Sequence, residues 1–418
     1  MGLKRTLGLF DATSIGIGAI IGAGIFVVLG VAIGYAGPAI IISIIIAGIV
    51  ASFTAFSFAE LGSAIPKEGG VYTFAYEIIS PFVGFVVGCL WLFGQTVAGT
   101  AISLGFASYF VTIFPWFPLK TIAILIALIL TGLNLVGIKQ SAIVNNVLVL
   151  TKIIILCLFI GVGVYQTNSH YYSPFAPNGF LGILQGAAFV FFAYLGFGRI
   201  ATLGEEVKNP TRTLPLSILL ALGTSVIIYV LTGFVAVGLQ DYRILAGSDS
   251  PLANAARALG NSGIVVAISL GALIATASVL LTNLIGLSRV SFAMARNGQL
   301  PKSAAKVHSK FGTPYVSVLV MGTVMAILTS ALDLKQTAAI ASFSILSSHV
   351  ILNYSAIKLR KNRPSLETFK SPMHPLIPLL GLVSCIVLMF SLPEESWVVT
   401  SVVIVASSLY YLYLRQRN

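Results

Sequence analysis

Charge is what this sequence has least of. Only 9% of its 418 residues are Asp, Glu, Lys or Arg, against about 25% in an ordinary soluble domain, which needs that polar surface to stay dissolved. Three cysteines, all inside apolar runs, cannot build a disulfide framework, and Cys89, Cys157 and Cys385 have no metal-ligand spacing. They read as packing residues. Four histidines and twelve acids in so long a chain leave no His-rich metal motif and no paired catalytic carboxylates. No phosphate-binding glycine loop is present, so an ATP-driven pump would need a separate subunit. These shortages exclude a soluble enzyme, a disordered scaffold and a nucleic-acid module.

What is present is apolar. Hydrophobic residues make up 57% of the chain, enough for roughly ten to twelve spans of about 20 residues each. The runs are continuous rather than alternating, which rules out an outer-membrane barrel. The composition predicts an all-α polytopic membrane protein. Runs punctuated by charge and proline fall at 10–34, 39–60, 82–113, 121–137, 143–165, 180–200, 214–238, 263–295, 314–331, 337–357, 375–392 and 397–414. That makes twelve predicted spans. Lys4 and Arg5 before the first run resemble the start of a signal peptide, but the run is too long for one and lacks a cleavage site.

The net charge of +12 is explained by orientation. With the N-terminus inside, cytoplasmic segments hold eighteen Lys and Arg and outer segments four, namely Lys120, Arg243, Arg257 and Lys335. Basic residues collect on the cytoplasmic side, so both termini are expected there, in the cell membrane. Residues 250–259 read as a short amphipathic helix across the outer mouth. Residues 67–80, with Gly69-Gly70 and three aromatics, read as a re-entrant or surface helix on the inner side.

Glycine clusters at membrane depth have two readings: close helix packing, which is the commoner, or a helix break that lines a cavity. A recurrence favours the break. Shifting the chain by 174 places Ala19, Gly22 and Gly24 of span 1 on Ala193, Gly196 and Gly198 of span 6. Five spans separate the copies, so they run in opposite directions, the pattern of carriers built from inverted repeats with substrate at the breaks. A half-helix N-terminus offers N–H groups to a carboxylate, and a half-helix C-terminus offers carbonyls to an ammonium. A free amino acid carries both.

With these residues in view, the chain resembles the amino acid–polyamine–organocation (APC) superfamily of permeases, in particular its proton-coupled prokaryotic amino acid transporters. The matching stretches are GIGAIIGAGIF from Gly16, ELGSAIPKEGG from Glu60, FFAYLGFG from Phe191, GEEVKNPTRTLP from Gly204 and SRVSFAMARNGQLP from Ser288, in the family's order. The resemblance implies a leucine-transporter-like fold in one transporter domain over 1–418. Its inverted repeats would span roughly 8–165 and 178–360, with helices 1 and 6 broken and accessory helices over 375–414.

Carried over by position, the resemblance implies that the substrate carboxylate meets the N–H groups of Ala23, Gly24 and Ile25. The ammonium meets carbonyls of Ile20, Phe192 and Leu195, beside Gly22 and Gly196, and Phe192 occludes the site. Many relatives have an acid where this chain has Gly198, which removes one candidate for proton sensing or for pairing a cationic substrate.

Lys152 lies nine residues into span 5, about 13 Å at 1.5 Å per residue and so near the midplane of a core about 30 Å thick. A buried cation there is functional by default, and burial makes reversible deprotonation feasible. Its setting, VLTKIIIL from Val149, resembles proton-coupled relatives whose lysine projects toward span 1, and it is the expected proton-coupling residue. Thr276 and Ser278 are candidate cavity-lining groups beside span 1, although Ser and Thr commonly bond their own helix, and Gln95 and Asn283 come after them. His349 has a titrating and a satisfied packing reading, the latter the commoner. Glu205 and Glu206, between Arg199 and Lys208, have a reading as pH-sensitive gate elements and a commoner one as solvated inner-mouth ion pairs, and Glu60, at a cytoplasmic helix end, reads similarly.

No acid falls at mid-membrane, and a cationic substrate would require one. The expected cargo is therefore a neutral amino acid, apolar or small. The expected activity is secondary transport by alternating access with proton symport; sodium-independent exchange is the alternative, ahead of a cationic amino acid or polyamine carrier. A channel, from another class, lacks a filter motif here. The expected partners are the amino acid, a proton and membrane lipid, without nucleic acid, cofactor, metal or obligatory protein partner.

Overall fold

The structure, a computed structural model, describes residues 7–67, 69–136, 142–201, 207–309, 311–362 and 368–417. Lys4, Arg5, Lys139, Glu205, Glu206, Lys310 and Arg363, which entered the charge and gate expectations, lie outside them. The described residues are almost entirely helical, with one isolated bridge between Leu7 and Val207.

Each predicted run falls on helix. The first is divided: α1 (Leu9–Ile20), a π-helical turn over Gly24–Val28 and α2 (Leu29–Ala36), followed by α3 (Ile40–Ala64). The short α4 (Val71–Ile78) occupies the segment expected to be re-entrant or superficial, and its Tyr72 and Phe74 are buried. Next come α5 (Pro81–Ile113), α6 (Leu119–Val136) and α7 (Ala142–Gly163). The sixth run is again divided, into α8 (Gly179–Tyr194), a 3₁₀ turn over Leu195–Phe197 and α9 (Gly198–Ala201). After α10 (Pro210–Leu239) and α11 (Tyr242–Leu245), α12 (Pro251–Arg257) forms where the outer-mouth helix was expected. The chain ends with α13 (Ser262–Arg296), α14 (Tyr315–Ala331), α15 (Leu334–Asn362), α16 (Leu376–Phe390) and α17 (Glu394–Arg417).

Among the described residues, nine helical stretches are long and apolar enough to cross a membrane, and α14 and α16 are shorter apolar helices. Large apolar side chains point outward, among them Ile129, Val147, Leu150, Ile154, Val402 and Leu409. Small and hydroxylated residues pack inside together with large aromatics such as Phe26, Phe189 and Phe197. A lipid solvent allows both, because hydrocarbon gives apolar groups no reason to hide and helices associate by close packing. Interior hydroxyls return to their own helix four residues back, as Thr96 does to Leu92, Thr131 to Ala127 and Thr232 to Ile228.

Two sequence expectations are corrected. Cys157 is exposed on α7 rather than packed. Glu60 is not solvated: only 2% of its side chain is exposed, and it ties α3 to Arg360 of α15 and to the N–H of Ser371. A buried carboxylate persists only when paired and hydrogen-bonded, and both conditions hold.

Candidate functional site

The two divided helices meet at the centre of the bundle. Ile21 is extended, with φ −72° and ψ 101°, so α1 ends there and the chain resumes helical geometry at Gly24. The first N–H groups of a helical segment and the last carbonyls of another have no intrahelical partner, so the interruption presents both kinds of group to its surroundings.

The breaks touch main chain to main chain. A Cβ built on Gly24 would stand 2.1 Å from Cα of Ala193, and one on Gly196 would stand 2.2 Å from the carbonyl of Ala19. No real Cβ tolerates such distances. These two glycines are therefore dictated by packing between the breaks, while the breaks themselves line a cavity: both readings of the clusters hold together.

That cavity, of about 20 Å³, lies between four helices. Ala19, Ile20, Ala23 and Gly24 come from the first break; Phe192, Ala193, Leu195, Gly196 and Arg199 from the second. Gln95, Ala98 and Ile102 of α5 and Val279 and Asn283 of α13 close it. A second cavity of about 40 Å³ shares Gln95, Leu195 and Arg199 with the first and continues past Trp91, Gly198 and His349 to Gly69, Gly70 and Arg289. Spaces this small hold one or a few waters, so a larger ligand requires the surrounding helices to part.

Of the residues expected at the substrate, Ile20, Ala23, Gly24, Phe192, Leu195 and Gly196 line the first cavity and Gly198 the second. Gly22 packs on Val279, and Ile25 lies in the core. The Phe192 carbonyl accepts from the N–H of Leu195. Gln95 and Asn283 meet across the cavity wall, the Asn283 amide donating to Gln95 Oε1 at 2.8 Å, while Asn283 Oδ1 is buried without a partner. Thr276 and Ser278 line neither cavity. Their hydroxyls donate to Ala272 and Ala275 of their own helix.

Lys152 of α7 is buried, and its ammonium donates to the carbonyls of Gly18 at 3.0 Å and Ile21 at 3.1 Å. Those are the orphan acceptors where α1 stops. The lysine is thus the donor that the first break requires, immediately behind the cavity wall.

Two features were missed in the sequence, and the reading of His349 is corrected. Tyr229 of α10, fully buried, donates to the Ile20 carbonyl at 2.8 Å and lies 3.3 Å from that of Ala193, so one hydroxyl joins both breaks. A lone tyrosine deep in an apolar run was the available signal, because a buried phenol needs a partner. Arg199 was read as part of a solvated mouth. It instead lines both cavities and donates to Thr282 at 2.6 Å. His349 is packed, between Phe58, Phe191 and Phe197, but not satisfied, since its Nδ1 is buried without a partner. Glu205 and Glu206 lie outside the described residues. No cluster that could hold a metal occurs among the described residues.

Residues 11–411 match the family described as amino acid permease. The chain is 36% identical over 440 residues to the branched-chain amino acid permease BcaP of Bacillus subtilis (strain 168), covering all of this chain and 94% of that protein. It is 36% identical over 437 residues to the methylthioribose transporter of the same strain, covering all of this chain and 95% of that one. It is also 35% identical over 329 residues to cationic amino acid transporter 9, chloroplastic, of Arabidopsis thaliana, covering 73% of this chain and 58% of that protein. Apolar helices in number and a match over nearly its whole length lead to one conclusion: the chain belongs to the amino acid permease family of the APC superfamily and is a multi-pass membrane transporter, not an enzyme.

Proposed function

We propose that this protein is a secondary carrier of neutral amino acids that works by alternating access and imports a proton with its substrate. The observation that carries the reading is the cavity between the two breaks, lined by residues of both and backed by the buried Lys152. Inverted repeats over 8–165 and 178–360 place the breaks in opposite orientation, and twelve crossings with eighteen inner against four outer basic residues put both termini in the cytoplasm. The substrate carboxylate docks at Ala23, Gly24 and Ile25, and its ammonium at carbonyls of Ile20, Phe192 and Leu195. Rocking of one bundle against the rest exposes the site alternately to each side.

Neutral specificity rests on charge. Arg199 lines the cavity, Lys152 stands behind it, and no carboxylate is among the described lining residues. A cationic side chain would be repelled there. Ala98, Ile102, Val279 and Phe192 offer apolar contact, which suits an aliphatic substrate of the kind named in the branched-chain relative.

Exchange without protons is the second reading, favoured by the two good acceptors that would hold Lys152 as a permanent structural cation. Purified protein in liposomes decides between them. Accumulation of labelled leucine or alanine under an imposed pH gradient, lost in Lys152→Ala, is the expected result. Uptake that ignores the gradient but demands internal amino acid would establish exchange. Robust arginine or putrescine transport with none of alanine, valine or leucine would overturn neutral specificity.

A further inference from the structure

A polar seam runs between α1 and α7, away from the substrate cavity. On α7, Asn145 and Lys152 are seven residues apart and share one face. On α1, Asp11 and Gly18 have the same spacing, with the buried Ser14 on the same stripe. The two stripes meet at both ends. Lys152 donates to the Gly18 carbonyl, and the Asn145 side-chain oxygen lies so close to Gly18 that a Cβ there would stand 3.2 Å from it. At the other end, the Asn146 amide donates to Asp11 Oδ1 at 3.4 Å.

Two atoms in this seam are unaccounted for. Asn145 Nδ2 and Asn146 Oδ1 are buried and have no hydrogen-bond partner. Such atoms are rare in native proteins and are ordinarily met by ordered water. One is a donor and the other an acceptor, the pair that orients a short water file. Gly18 and Asp11 are about 10 Å apart along the helix, a gap that about four hydrogen bonds of ~2.8 Å cross.

The charges single out Asp11. Among the described residues of α1, α7 and the helices α10 and α13 packed against α7, it is the one carboxylate. The other charged groups on them are Lys152 itself and the cations Arg212, Arg289 and Arg296, and Arg199 stands at the second break.

We propose that the α1–α7 seam is the route by which Lys152 releases its proton to the aqueous phase at the start of α1, through water held by Asn145 and Asn146, with Asp11 as the terminal relay. The proposal rests on the reading of Lys152 as the coupling residue. An N–H bond of the ammonium breaks and its electron pair stays on nitrogen, leaving the amine. The proton passes along the water file to the Asp11 carboxylate, forms an O–H bond there and leaves as hydronium, which restores the carboxylate. Neutral amides suit the middle of such a path, because they donate and accept without trapping the charge.

The test uses the full chain in liposomes loaded with a pH-sensitive dye, challenged with leucine. Asp11→Asn, which keeps an acceptor for the Gly8 N–H that Asp11 now caps at 3.2 Å, and Asn145→Leu should each slow leucine-coupled proton entry and gradient-driven uptake by about tenfold or more. Leucine counterflow at equal pH should stay within about twofold, since exchange moves no net proton, and Asp11→Glu should restore coupling. Unchanged proton entry in both variants would overturn the proposal. So would loss of counterflow in both, because a route that serves only protons leaves exchange intact. A wild type in which leucine entry moves no protons would instead defeat the coupling reading of Lys152, and the seam proposal with it.

Discussion

The ammonium of Lys152 stands 3.0 Å from the carbonyl oxygen of Gly18, at the point where α1 stops. Lys152→Ala leaves that acceptor and the Ile21 carbonyl without a donor in a dry interior, at a cost of about 1–3 kcal/mol each. A lower melting midpoint is expected alongside the loss of gradient-driven uptake. The informative partner variant is Lys152→Arg. Guanidinium keeps its proton at any physiological pH, so arginine restores stability but not proton coupling. Uptake driven by a pH gradient in Lys152→Arg would show that the site needs only a fixed cation.

Tyr229 joins both breaks through one oxygen, 2.8 Å from Ile20 and 3.3 Å from Ala193. Tyr229→Phe removes that oxygen and nothing else. One lost buried hydrogen bond is worth about 1–1.5 kcal/mol, which corresponds to roughly a tenfold change in an equilibrium between cavity geometries. The expected outcome is a rise in apparent KM for leucine of that order with nearly normal yield and fold. A variant with unaltered KM and maximal rate would show that the phenol only fills space.

The approach of Gly24 to Ala193 and of Gly196 to Ala19 leaves no room for a methyl group. Gly196→Ala and Gly24→Ala must each push backbone apart, and overpacking of this kind costs about 1–3 kcal/mol or more. Gly179→Ala is not a fair control, because that glycine has φ +60°. Gly132→Ala is, since a Cβ there meets nothing within 4 Å. Uptake assays should separate them, with transport abolished at the two break positions and retained in Gly132→Ala.

Glu60 holds three parts of the fold together through Arg360 and Ser371. Removing one member of a buried pair costs about 3–5 kcal/mol, and the one-quarter exposure of Arg360 places this pair at the lower end. Glu60→Gln should lower the melting midpoint in detergent by several degrees while leaving the leucine KM unchanged. A changed KM at unchanged stability would mean that the pair belongs to the transport machinery.

Much of this was legible in the sequence because lipid imposes simple rules. Every apolar run became helix, and the repeated glycines marked where the first and sixth runs are interrupted. Lys152 was conspicuous as a charge at membrane depth. Other features were hidden. Arg199 follows the second break by only one residue from Gly198, and nothing in its position told that its guanidinium turns into the cavities instead of outward. Thr276 looked better suited to the site than Gln95, yet its hydroxyl bonds its own helix while Gln95 lines the cavity and meets Asn283 there.

The sequence by itself therefore determined the solvent, the helices and the places where they break, since those follow from local runs of apolar residues and from the backbone's need for partners. Only the tertiary structure decided which orphan carbonyls receive Lys152, which breaks Tyr229 joins, that Glu60 is buried and that the seam to Asp11 exists. These are contacts between residues 36 to 311 positions apart, and their geometry depends on how helices stack, which no local rule encodes.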